Sequence, residues 1–167
     1  PMRCTQNPTV GEEWRRGWHP ERVRPITNSQ HLIIGGGPAG LEAARALTQR
    51  GAEVTLSEAR NTLGGRVTLE SSLPGLAEWA RVRDWRIGQL NDKPNAQLYT
   101  QSPLTADDIL DYGIPHVALA TGATWRTDGV GRAHKRPLPF LNAPNVVSPD
   151  HLMQHGTSDL PQGPLAI

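Results

Sequence analysis

His31-Leu32-Ile33-Ile34-Gly35-Gly36-Gly37-Pro38-Ala39-Gly40 is the stretch on which the fold turns. A short apolar run meets a set of glycines and gives way to Leu41-Glu42-Ala43-Ala44-Arg45-Ala46-Leu47-Thr48-Gln49-Arg50, a segment rich in helix formers. An apolar run closed by glycine suits a buried parallel strand. The pattern therefore predicts a strand over about 30–34 and a helix over about 38–50. Gly35, Gly37 and Gly40 fall between them at G-x-G-x-x-G spacing. In such a turn the first glycine permits the tight bend, the second lets a pyrophosphate approach the backbone, and the third lets helix pack on strand. Pro38 suits the first helical position because the amide it lacks would go unpaired there. The amides of the next residues, beginning with Ala39, then face an anion.

Working outward, Gly51 predicts the end of that helix and Glu53-Val54-Thr55-Leu56-Ser57 a second strand. Glu58-Ala59 follows, with Glu58 lying 23 positions after Gly35. An acidic side chain there accepts hydrogen bonds from a ribose diol and repels a 2′-phosphate; taken alone it is equally a solvated carboxylate at a strand end. Leu63-Gly64-Gly65-Arg66 supplies a second glycine pair whose backbone can approach the same phosphates, with Arg66 as a charge-assisted contact. Without the first turn it would mean only a bend.

The rest of the chain is less informative. Residues 1–28 contain Pro8, Gly11, Gly17, Pro20 and Pro25 and read as a connector arm, with Trp14 and Trp18 one helical turn apart and expected to pack on the domain. A helix is predicted over Ala77–Leu90, with Trp79, Val82, Trp85 (or Arg86) and Leu90 near one face, expected as core, and with Arg81, Arg83 and Arg86 read most simply as a solvated face. A strand is predicted over about 96–102, a helix cap at Thr105-Ala106-Asp107-Asp108, and a buried strand within Pro115–Ala123 that ends in Ala120-Thr121-Gly122. His116, His134, His151 and His155 have no spacing that metal ligation requires. The fold class expected is α/β: a Rossmann-like FAD/NAD(P)-binding domain with a parallel sheet and a small inserted β/helical segment.

At 167 residues the chain is long enough for one domain with an appendage. A net charge of +1 with mixed signs lacks the basic footprint of nucleic-acid binders. No apolar run approaches the roughly 20 residues that span a bilayer and no leader pattern is present, so no membrane is expected and a cytoplasmic setting is the default. One cysteine, Cys4, leaves no internal disulfide. Both ends look cut, and the chain is expected to be a fragment: 1–28 an arm, 29–163 an adenine-dinucleotide-binding domain, and 164–167 the first residues of a second nucleotide-binding domain.

Taken together, the glycine turn, Glu58, Leu63-Gly64-Gly65-Arg66 and Ala120-Thr121-Gly122 resemble flavoproteins with two dinucleotide-binding domains. The opening Pro1–Pro20, Leu73-Pro74-Gly75-Leu76-Ala77-Glu78-Trp79 and Ala120–Gly129 resemble more specifically the trimethylamine dehydrogenase family, which includes dimethylamine and histamine dehydrogenases and is related to 2,4-dienoyl-CoA reductase. The resemblance implies an oxidoreductase in which a β/α barrel carries FMN and four cysteines hold a 4Fe-4S cluster. Electrons would pass to a protein acceptor such as an electron-transfer flavoprotein, and the enzyme would be a homo-oligomer. Cys4 matches the last of the four cluster ligands, and the other three are absent from this chain. The resemblance places ADP or FAD at Gly35, Gly37, Pro38, Ala39, Gly40, Glu58, Ala59, Gly64, Gly65, Arg66, Ala120, Thr121 and Gly122, with no catalytic residue here. Thr124-Trp125-Arg126-Thr127-Asp128-Gly129 is closer to the amine dehydrogenases and favours ADP; the FAD-binding half of an NAD(P)H-dependent reductase and a non-catalytic interface domain are the alternatives.

Overall fold

The computed structural model describes residues 10–11, 14, 23–139 and 146–156. Four parallel strands form one sheet in the order β3-β2-β1-β4: β1 (Gln30–Ile34), β2 (Glu53–Ser57), β3 (Ala96–Tyr99) and β4 (His116–Leu119). β1 pairs with β2 from Gln30 opposite Glu53 to Ile34 opposite Ser57, and with β4 from His31 opposite His116 to Ile34 opposite Leu119. The chain leaves β1 toward β2 and β3 on one side and returns to β4 on the other. Strand order thus reverses between β1 and β4, and in open parallel sheets ligands bind at the carboxyl ends of the strands at such a reversal.

The first helix, α1 (Pro38–Gln49), buries Gly40, Leu41, Ala44 and Thr48 along one face. It ends as Gly51 predicts. Gly51, at φ 92°, donates its N–H to the Thr48 carbonyl, and Ala52 donates to the Leu47 carbonyl, which is the double closure of a Schellman motif. Asn95 then clamps the corner, its Nδ2 donating to the carbonyls of Thr48 (3.0 Å) and Ala52 (2.7 Å). Ile33, Leu41, Ala44, Ala52, Val54, Leu56 and Leu90 close into one buried cluster, so the core is the β1–α1–β2 unit plus the end of one more helix.

Between β2 and β3 the chain forms α2 (Arg66–Glu70), a 3₁₀ turn (Ala77–Trp79) and α3 (Ala80–Asn91). The inserted segment is helical and carries no strand. The 3₁₀ turn and α3 do not pack as their aromatic spacing predicts: Trp79 and Trp85 are 45% and 42% exposed, while Arg86 is only 8% exposed beside buried Leu90. The reason is on α1. Glu42 Oε2 accepts from Arg86 Nε at 2.8 Å, and Arg86 Nη1 donates to the Val82 carbonyl, so the guanidinium is neutralised and bonded where it enters the interface. Burial works against charge on Glu42, but Arg45 and Arg86 hold its carboxyl below the ordinary value. Trp85 lies instead beneath the cations of Arg45 and Arg86, 5.3 and 5.7 Å from its ring. Of the predicted solvated arginines, Arg81 is on the surface and Arg83 is drawn inward.

The 115–123 run, expected as a buried strand, is the sheet edge among the described residues, with Leu119 72% exposed and Val117 also open. The 96–102 strand stops at Tyr99, where the chain turns through Gln101 at φ 53°. α4 (Ala106–Asp111) begins in a full capping box: Thr105 Oγ1 accepts from Asp108 N–H, and Asp108 accepts from Thr105 N–H. α5 (Pro149–His155) is the last described helix. Trp14 is exposed and bonds the Gly11 carbonyl rather than packing into the core. Its companion Trp18, Cys4 and residues 164–167 lie outside the described residues. No described helix is long and apolar enough to cross a membrane.

Candidate nucleotide-binding site

The three motif glycines have different surroundings. Gly35 turns at φ 106°, donates to the Ser57 carbonyl at 2.8 Å, and lies so close to the end of β4 that a Cβ there would stand 2.3 Å from the Ala120 oxygen. A Cβ on Gly40 would fall 1.9 Å from the Gly35 oxygen. These two are demanded by packing of strand, turn and helix. Gly37 is different: its backbone is extended at φ −73°, ψ −178°, and a Cβ there would meet nothing within 4 Å. Its bareness serves no protein neighbour. It leaves space in front of the α1 N-terminus, where Leu41 is the first residue to donate within the helix, to the Gly37 carbonyl at 2.9 Å. Pro38 has no N–H, so the amides of Ala39 and Gly40 have no partner within the helix.

Glu58 faces the same turn from the carboxyl end of β2. Its side chain is 7% exposed, and both oxygens are fixed by backbone donors: Oε2 by Gly36 N–H at 2.6 Å and Oε1 by Arg60 N–H at 2.9 Å. A carboxylate has about four acceptor positions, so two remain for hydroxyl groups. The second glycine pair completes the cradle. Gly64 donates to the Gly36 carbonyl at 2.7 Å, and Gly65, at φ 53°, comes so near that a Cβ would be 3.0 Å from the Gly37 Cα. Ala120 donates to the Ile34 carbonyl at 2.7 Å, so Ala120 and Thr121 border Gly35, with exposed Gly122 beyond at φ 84°. Residues from β1, β2, β4 and the 64–65 turn therefore converge at the strand-order reversal, and exposed Ala59 follows Glu58 at its rim.

Arg66 is placed otherwise than its sequence position suggests. Its guanidinium binds Glu70 and Asp150, both at 2.8 Å, and sits 5.5 Å over the Trp125 ring, while Asp150 also accepts from Trp125 N–H. The cation expected at the phosphates thus already has three protein partners. Arg66, Glu70 and Trp125 border an apolar cavity of about 580 Å³ that Leu73, Trp79, Leu152 and Met153 also line. Asp150 was not singled out from sequence, although Ser148-Pro149-Asp150 is a helix-start signal that places it. The histidines hold one further surprise: His31 and His116, register partners on β1 and β4, stack at 4.9 Å. Among the described residues no group of three or more His, Cys, Asp or Glu side chains is placed to hold a metal.

Comparison with known proteins fits this geometry. Residues 33–85 match the family model of the NAD(P)-binding Rossmann-like domain. The chain is 47% identical over 163 residues to dimethylamine dehydrogenase from Hyphomicrobium sp., covering 92% of this chain and 22% of that protein. Histamine dehydrogenase from Rhizobium sp. 4-9 superposes with a TM-score of 0.81 at 52% identity, over 91% of this chain and 22% of that one. The chain belongs to the trimethylamine and histamine dehydrogenase family. A third relative, 6-hydroxypseudooxynicotine amine oxidase from Pseudomonas geniculata N1, gives a TM-score of 0.85 at 48% identity over 93% of this chain and 24% of that one. The chain thus spans about a quarter or less of each relative, and the part it spans is a Rossmann-like nucleotide-binding domain.

Proposed function

We propose that this chain is the adenine-nucleotide domain of a flavin-dependent amine dehydrogenase, binding ADP and making no bonds itself. The observation that carries the reading is the pairing of Gly37, bare with no protein neighbour to require it, with Glu58, a buried carboxylate held in place by two backbone amides. The open glycine and the amides of Ala39 and Gly40 suit a pyrophosphate. The remaining acceptor positions of Glu58 suit a ribose diol.

ADP is preferred over FAD because of what lies beyond Gly65. Arg66, Asp150 and Trp125 are tied to one another there, which supports a ligand that ends at its second phosphate. The likeness to dimethylamine and histamine dehydrogenases leans the same way. For the whole enzyme, an FMN barrel, a 4Fe-4S cluster, a protein electron acceptor, homo-oligomeric assembly and a cytoplasmic location extend the same reading, as does the division into an arm, a nucleotide domain and the start of a second one. This chain has a single cysteine, Cys4. Four thiolates hold such a cluster, so the chain supplies one ligand at most.

The test is the nucleotide that the full-length protein releases on denaturation, identified by mass and absorbance. ADP is the expected product. FAD would move the assignment to a reductase-like domain, and the absence of any adenine nucleotide would count against the site altogether.

A further inference from the structure

We infer that Arg60 stacks on the adenine ring, so that the site selects the base as well as the ribose and phosphates. This rests on the adenine-nucleotide reading above and names the one part of that ligand which Gly37 and Glu58 leave without a partner. Arg60 lies just past the end of β2, and both of its main-chain polar groups are held. Its N–H donates to Glu58 Oε1 at 2.9 Å, and its carbonyl accepts from Gln101 N–H at 2.9 Å. Its backbone is thereby fixed against the carboxylate that faces the ribose.

The guanidinium itself is uncommitted. The residue is exposed, and among the described residues its side chain has no hydrogen-bond or ion-pair partner. The other arginines around the turn are engaged: Arg66 by Glu70 and Asp150, and Arg83 by Asp84 and Thr68. A ribose hydroxyl bonded to Glu58 Oε1 lies two hydrogen bonds, at most about 6 Å, from the Arg60 amide. The base hangs from the ribose carbon next to that hydroxyl, within the span of an arginine stem. A guanidinium is planar and weakly hydrated, and it lies readily on an aromatic face.

The competing use of an arginine at this place is to pair with a 2′-phosphate. Glu58 argues against it. Its charge occupies the same ribose edge, and with both oxygens held by backbone donors it cannot swing aside for a second anion.

The experiment titrates the full-length protein, freed of nucleotide, with ADP, AMP, 2′-phospho-ADP and ribose 5-phosphate, before and after Arg60→Ala and Arg60→Lys. The exposed position makes both variants tolerable to the fold, which circular dichroism checks. Arg60→Ala is expected to weaken ADP and AMP alike by about five- to tenfold and to leave ribose 5-phosphate unchanged. Arg60→Lys, which keeps the charge but not the plane, restores only part of the loss. Equal loss for ribose 5-phosphate, loss confined to 2′-phospho-ADP, or full rescue by lysine would each overturn the inference. Undiminished ADP binding by Arg60→Ala overturns the inference alone, whereas no ADP binding by the unsubstituted protein overturns the nucleotide reading beneath it as well.

Discussion

Alanine at Gly40 and alanine at Gly37 should have opposite effects, although the two glycines belong to one turn. At Gly40 the new methyl would stand 1.9 Å from the Gly35 carbonyl oxygen and 3.4 Å from the Ala120 Cβ. An ordinary carbon contact needs about 3.5 Å or more, so α1 must move off β1 by more than an ångström, and the obstacle is backbone that cannot rotate away. Overpacking of this kind costs about 1–3 kcal/mol, and opening the contact between Gly35 and Ala120 puts the expected loss at the upper end. At Gly37 the methyl meets no protein atom within 4 Å, and φ −73° with ψ −178° is open to any residue. Alanine is a poorer helix cap than glycine, but it restricts the unfolded chain by about 0.4–1 kcal/mol. Stability should therefore stay within about 1 kcal/mol of the original. Urea denaturation with and without ADP separates the two. Gly40→Ala shifts the midpoint in buffer alone. Gly37→Ala leaves that midpoint in place but abolishes the ADP-induced gain, which for the unsubstituted protein is about 2.7 kcal/mol at 100 times the dissociation constant. If Gly37→Ala is as destabilising as Gly40→Ala, or keeps the full response to ADP, the division of roles between the glycines is wrong.

Three further outcomes follow from other contacts. Glu58→Ala removes a charged acceptor worth about 1.5–3 kcal/mol; calorimetry should show ADP binding at least about tenfold weaker, and discrimination against 2′-phospho-ADP reduced. Glu42→Ala strips buried Arg86 of its carboxylate while leaving the Val82 carbonyl. Because Glu42 is itself partly exposed, the denaturation midpoint should fall by an amount equivalent to about 2 kcal/mol, less than for a fully buried pair, and Glu42→Gln should recover part of it. His31 is pushed below its ordinary value by burial, then by His116 and Arg50. A histidine that resists protonation when folded contributes stability above its unfolded value, near 6.5, and loses it as the pH falls through the folded one. Stability should thus drop between pH 7.5 and 5.5, and His31→Gln should flatten that drop; an unchanged slope would remove His31 as its source.

The nucleotide turn was legible in the sequence because its requirements are local. A strand, three spaced glycines and a helix lie within about twenty residues of chain, and each glycine answers a backbone demand. Glu58 could be placed at the end of β2 by counting, but the Gly36 and Arg60 amides that hold its carboxylate could not, since both bonds depend on how the turn closes over β2. The tryptophans of the 77–91 segment show the limit of periodicity. Trp79, Val82 and Trp85 share a face by spacing, yet spacing does not say which face meets α1. That choice belongs to Glu42, which makes Arg86 the residue that goes in. The partners of Arg66 were hidden for a similar reason. Its neighbours in sequence are the glycines of the cradle, but its partner Asp150 lies 84 positions away, on α5. The stacked pair of His31 and His116 is another product of register that neither segment announces by itself.

The measurement that bears most directly on the central claim is a calorimetric titration of nucleotide-free full-length protein with ADP, run beside the Gly37→Ala variant. The account predicts saturable one-site binding to the unsubstituted protein and none to a variant that stays equally well folded. No binding to the unsubstituted protein, or equal binding to both, would contradict it.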